Sequence, residues 1–160
     1  MLTEAGIVLV AAGIGGAGFL YATSLREELR RAEAFLRLAH RIRARIACFR
    51  QPLSAIYEEF SDEVLDNTPF GEALRTGGFA EALAKCGDGL GLPPSFMALL
   101  YDFGQELGRS SAEEQIRHCD RCIGNMEEAV EALRREYPVR SRLSRTLSLC
   151  LAAMAALLLI

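Results

Sequence analysis

Twenty-one consecutive residues, Ala5 to Leu25, carry no charge, and no other feature narrows the possible folds so far. As a helix rising about 1.5 Å per residue, the run spans roughly 31 Å, the thickness of a bilayer's hydrocarbon core. Only Glu4 precedes it among charged residues, so the basic leader of a removable signal peptide is missing and the run reads as a retained anchor. The other end of the chain answers it: Thr146 to Ile160 is also uncharged. That run covers only about 22 Å as a helix, although Leu143 and a snorkelling Arg145 extend it. It reads as a second span; the alternative is a tail buried in the protein or inserted shallowly.

The charges beside these runs set an orientation. Arg26, Arg30 and Arg31 follow the first, and Arg134, Arg135, Arg140, Arg142 and Arg145 precede the second. Basic residues mark the cytoplasmic side of a span. Both clusters border the middle of the chain, which is therefore expected in the cytoplasm. The expected organisation is a transmembrane helix at 5–25, a cytoplasmic helical bundle at 26–142 and a transmembrane helix at 143–160.

Between the ends, Ala, Leu, Glu and Arg dominate a 160-residue chain without tryptophan, which favours helix over sheet. The fold class is all-α, a bundle of about six helices flanked by the two spans. Ser24 to Phe49 is one helix, with Leu25, Leu29, Ala32, Leu36, Ala39, Ile42, Ile46 and Phe49 as its apolar stripe, ended by Pro52. A shorter helix turns Leu53, Ile56, Tyr57, Phe60 and Val64 inward. Pro69 opens the next, Thr76-Gly77-Gly78 breaks it, and Phe79 to Cys86 adds a turn or two. Gly87 to Gly91 is a loop. Five scattered cysteines, Cys48, Cys86, Cys119, Cys122 and Cys150, argue against a disulfide framework and for a reducing compartment.

The best-specified stretch runs from Phe96 to Tyr137 and reads as a helical hairpin. Pro93-Pro94 places a proline in the first turn of the incoming helix, where no N–H is missed. Gly108 suits the left-handed residue past its end. Ser110 and Ser111 are each followed three residues later by a glutamate, Glu113 and Glu114, giving two overlapping capping boxes. The outgoing helix then repeats apolar residues at spacings of four and three: Ala112, Ile116, Cys119, Ile123, Met126, Val130, Leu133 and Tyr137.

Phe103, the turn Leu107-Gly108-Arg109-Ser110, a nearby glutamine and a long charged helix leading into an apolar tail together resemble the stage III sporulation protein AB family. The resemblance covers nearly the whole chain. Ser111 departs from it, since the family pattern would place an acidic residue there; a serine still caps a helix, so the implied fold stands. The resemblance implies a mother-cell membrane protein of the outer forespore membrane, multi-pass, within the transenvelope complex that joins mother cell and forespore during endospore formation. The family is similar to the cytoplasmic domain of the type II secretion inner-membrane platform protein. By that likeness the expected partners are a secretion-type ATPase, the other membrane subunits of the complex and membrane lipid. A platform protein of another secretion or pilus system is the runner-up, but such proteins repeat the bundle and no repeat occurs here.

Candidate sites are few. Gly13-x-Gly15-x-x-Gly18 after Ile7–Val10 matches a dinucleotide fingerprint as a pattern, but no second apolar β-run follows it. As part of a span, Gly15, Gly16 and Gly18 instead form small-xxx-small pairs for helix packing. His118-Cys119-x-x-Cys122 resembles a metal cluster, but Cys119 lies on the core stripe and no second ligand pair has suitable spacing, so both cysteines are read as buried hydrophobes and no metal or cofactor is expected. No catalytic constellation stands out and the protein is not read as an enzyme. The Arg37-Arg41-Arg45 ridge lacks stacking aromatics, which argues for internal acids or anionic lipid rather than nucleic acid. At the corner two readings stand side by side: a well-capped turn and nothing more, or a docking surface presented by Gln105, Glu106, Arg109 and Gln115.

Overall fold

The computed structural model describes the backbone of residues 2–49 and 51–159; the side chains of 2–19, 22, 49, 145, 148, 151, 152 and 155–159 lie outside the described residues. Six helices follow one another: α1 (Leu2–Phe49), α2 (Leu53–Glu59), α3 (Glu63–Asp66), α4 (Pro69–Cys86), α5 (Pro94–Glu106) and α6 (Ala112–Leu159). A 3₁₀ turn at Gly87–Gly89 precedes α5, and no strand occurs among the described residues. The fold is all-α.

Two differences from the sequence reading concern α1 and α6. The uncharged N-terminal run and the amphipathic helix after it form one uninterrupted helix. Likewise α6 continues through Pro138 and past residue 142, where the sequence reading divides the bundle from the second span. Proline forfeits one backbone hydrogen bond, a cost that regular helix on both sides of it outweighs. Ile7–Val10 is helical, which removes the strand that the nucleotide reading of Gly13, Gly15 and Gly18 requires. The surroundings of those glycines and of Gly16 lie outside the described residues.

The chain divides into two compact units, a central one at Arg30–Ala132 and a terminal one that joins Met1–Leu29 to Leu133–Ile160. In the terminal unit, Leu25, Glu28, Leu29, Leu133, Glu136, Tyr137 and Arg140 line a small recess. Burial pushes the Glu28 carboxyl up from its ordinary range, against the pull of Arg140. Of the eight large apolar side chains that are exposed among the described residues, seven belong to this unit: Leu20, Tyr21, Val139, Leu143, Leu147, Leu149 and Met154. No helix among the described residues is long and apolar enough to cross a membrane.

The central unit is built around four phenylalanines that no single helix could bring together. Phe35 from α1 meets Phe70 at 4.8 Å between ring centroids, Phe70 meets Phe79 at 5.8 Å, and Phe79 meets Phe103 of α5 at 5.2 Å. All three contacts are edge-to-face, the arrangement that ring quadrupoles favour. Phe35 is absent from the stripe read off the sequence, yet it is buried together with Ala32, Ala34, Leu38, Ala39 and Ile42. A stripe assumes one neighbouring helix. α1 is covered over a wider face than that.

The α4 break falls where Thr76-Gly77-Gly78 placed it. Gly78 has φ 80° and ψ 179°, a combination essentially restricted to glycine. The kink lies against Tyr57 of α2. The Tyr57 hydroxyl is pushed up to about 12 by burial, an effect partly offset by a hydrogen bond from the Phe79 backbone. The short α3 survives because Asp62 caps it, its Oδ1 accepting from the Val64 N–H at 3.0 Å.

The arginine ridge does meet internal acids. Arg37 binds Asp62 at 2.7 Å and Arg45 binds Glu59 at 2.8 Å. From the same helix, Arg43 reaches Asp120 and His40 reaches Glu127 on α6, which fixes the antiparallel register of α1 against α6 within the central unit. Such exposed pairs specify register more than they stabilise.

Candidate functional site

Two features of the α5–α6 hairpin carry chemistry. The first is the corner. α5 begins with Pro94 at its first turn and ends at Glu106, and Gly108 takes φ +81°. Of the two overlapping capping boxes, the structure uses Ser111 with Glu114. The Ser111 hydroxyl lies 3.4 Å from the Glu114 N–H, and a Glu114 carboxylate oxygen accepts from the Ser111 N–H at 3.3 Å. The Ser110 hydroxyl is buried with no hydrogen-bond partner.

Of the four residues that the docking reading selects, Gln105, Glu106 and Arg109 are exposed. Gln115 is half-buried, and its side-chain amide donates to the Ser110 carbonyl at 2.8 Å. It therefore holds the turn, while the other three form its outer surface.

The second feature lies where the two helices leave the corner. Asp102 sits on α5, five residues before Leu107; His118 and Cys122 sit one turn apart on the facing side of α6. Candidate ligand atoms of these three side chains all lie within 4.8 Å of one another, the one such group of three among the described residues. His118 and Cys122 are buried, and Asp102 is exposed at the rim. The His118 ring stacks on Phe103 at 6.4 Å with an interplanar angle of 17°, which orients it.

A consistent proton arrangement links the group. The Arg121 guanidinium donates to His118 Nδ1 at 3.0 Å, which leaves the ring proton of a neutral imidazole on Nε2. Nε2 lies 3.5 Å from Cys122 Sγ, and the thiol donates to Asp102 Oδ2 at 3.4 Å. Burial, reinforced by that hydrogen bond to Asp102, pushes the Cys122 thiol up to about 12. Burial likewise raises Cys119 to about 11. Both are thiols rather than thiolates at neutral pH, so neither is poised as a nucleophile or redox centre.

The cysteine pair that the sequence singles out is thus not the chemical unit. Cys119 is fully buried, as its place on the stripe implied. Cys122 joins His118 and Asp102 instead. Asp102 was missed because it lies sixteen residues before His118 on another helix, where no ligand-spacing pattern reaches. The hairpin itself was the available signal. Positions equidistant from the corner become neighbours, and Asp102 mirrors the His118–Cys122 segment about residues 110–112.

Comparison with known proteins adds one match. The family model described as stage III sporulation protein AB matches residues 4–160. No curated protein and no solved structure matches the chain.

Proposed function

The chain belongs to the stage III sporulation protein AB family, and from that premise we propose that it is a membrane-anchored platform subunit of the stage III sporulation transenvelope complex. In this reading the terminal unit anchors the chain in lipid and the central bundle faces the cytoplasm. There it docks a secretion-type ATPase and the other membrane subunits. The reading assigns no catalytic step to the protein.

One observation carries it: the exposed large apolar side chains are concentrated in the terminal unit, with Leu20, Leu147, Leu149 and Met154 each more than half exposed. Apolar side chains in such number need a partner of like character. The arginines beside them, Arg26 and Arg30 on one helix and Arg134, Arg135, Arg140 and Arg142 on the other, suit the headgroups of a cytoplasmic leaflet. The docking surface is assigned to Gln105, Glu106 and Arg109, with Gln115 bracing the turn beneath them. Packing against other spans is assigned to Gly15, Gly16 and Gly18.

The test is co-purification of the detergent-extracted protein from sporulating cells, with the complex's ATPase as the readout. The expected result is recovery of that ATPase, lost on combined charge reversal at Glu106 and Arg109. Recovery that survives the reversal removes the corner from the interface. A protein that leaves the membrane in alkaline carbonate without detergent, and brings no ATPase, overturns the reading.

A further inference from the structure

We propose that Asp102, His118 and Cys122 form a binding site for a zinc-type divalent ion that clips α5 to α6 just inside the corner. The argument starts from donor chemistry. One thiolate sulfur, one imidazole nitrogen and one carboxylate oxygen are a donor set that suits a borderline transition ion and disfavours magnesium or calcium, which take oxygen.

Distances agree with that chemistry. Metal–sulfur bonds of about 2.3 Å and metal–nitrogen or metal–oxygen bonds of about 2.0–2.2 Å, set at a tetrahedral angle, hold their donor atoms about 3.3–3.6 Å apart. Cys122 Sγ is 3.5 Å from His118 Nε2 and 3.4 Å from Asp102 Oδ2. Those separations match two edges of the tetrahedron, but Sγ is also 3.8 Å from His118 Nδ1, so loading must turn the imidazole to aim its Nε2 lone pair at the ion. The third needs only a rotation of Asp102, whose position at the rim leaves it free space on the solvent side. As the sulfur–metal bond forms, the thiol proton leaves to solvent, and the sulfur lone pair makes the bond.

The proposal makes a demand on Arg121. With Nε2 on the ion, the ring proton moves to Nδ1, which can then no longer accept from the guanidinium that lies 3.0 Å away. Arg121 is exposed and must swing out, so it opposes loading. Metal-bound histidines usually donate the other N–H to an acceptor. Arg121→Gln removes the positive charge and offers a carbonyl to Nδ1. It is expected to tighten binding, where a purely structural cluster would show no change.

The test is a titration of the full-length, detergent-extracted and reduced protein with Co(II), read by its absorption spectrum. One equivalent should bind with a thiolate-to-cobalt charge-transfer band, displaced by Zn(II). Cys122→Ser should abolish the band and Cys119→Ser should leave it intact. Asp102→Asn, a surface change that does not threaten the fold, should weaken binding by at least about tenfold. Absence of the band in the unaltered protein overturns the proposal. So does a band that Cys122→Ser and Asp102→Asn leave unchanged, since the metal would then sit on another of the free cysteines, Cys48, Cys86, Cys119 or Cys150.

Discussion

Phe103 and Asp102 are neighbours in sequence but serve opposite kinds of structure. Phe103 enters the edge-to-face cluster with Phe79, an apolar region specified by shape. Asp102 accepts from Cys122, which in turn meets His118, a region specified by hydrogen bonds and protonation. The contrast shows how one helix can anchor two regions with different sensitivities. Volume changes should damage the first, whereas changes of proton, charge or metal should act on the second.

The sharpest way to break that comparison is Phe79→Ala. It deletes the ring that touches Phe35, Phe70 and Phe103 and should cost about 3–5 kcal/mol in denaturant unfolding. A loss below about 1 kcal/mol would mean that the cluster is not the centre of the core. Gly78→Ala tests the same region through its backbone, since φ 80° strains any side chain; about 1–3 kcal/mol should be lost.

Alkaline pH should separate the two regions without mutation. The unfolded thiols ionise near the ordinary 9.0, whereas folded Cys119 and Cys122 hold their protons to about 11 and about 12. Above 9 the unfolded chain therefore binds fewer protons than the folded one. The stability contribution is fully present below 9 and is lost as pH rises towards 11–12. Tyr57 joins only above 10. Between about pH 9 and 10, the slope of urea midpoint against pH should therefore flatten in Cys122→Ala and remain unchanged in Phe79→Ala. Equal slopes in the two variants would sink the distinction.

Ser111→Ala removes the cap that starts α6 and should cost about 1 kcal/mol, while Ser110→Ala should be close to neutral because its hydroxyl makes no hydrogen bond. A small effect is also expected at Arg37–Asp62. A double-mutant cycle there should return less than about 1 kcal/mol and shrink with added salt.

Local signals made much of the hairpin legible. A proline at the first turn of α5, a left-handed Gly108 and a serine–glutamate capping box each act within four residues, so spacing alone reveals them. The break at Gly78 was legible for the same reason. Asp102 and Phe35 were not. Asp102 gains its meaning from the rotation of α5 about its own axis, and Phe35 from the number of helices that surround α1; neither quantity is encoded within one helix. The continuity of α1 past Leu25 and of α6 past residue 142 escaped because composition changes near those points while backbone conformation does not.

The pairing of His40 with Glu127 spans 87 residues. At about 5–20 residues per second, a ribosome needs roughly 4–17 s to add the second partner after the first. For that interval the side of α1 that carries His40 and Arg43 has no α6 to meet it. Closure of the bundle thus waits for α6 to be made, and non-local closure of this kind sets a slow limit on the rate.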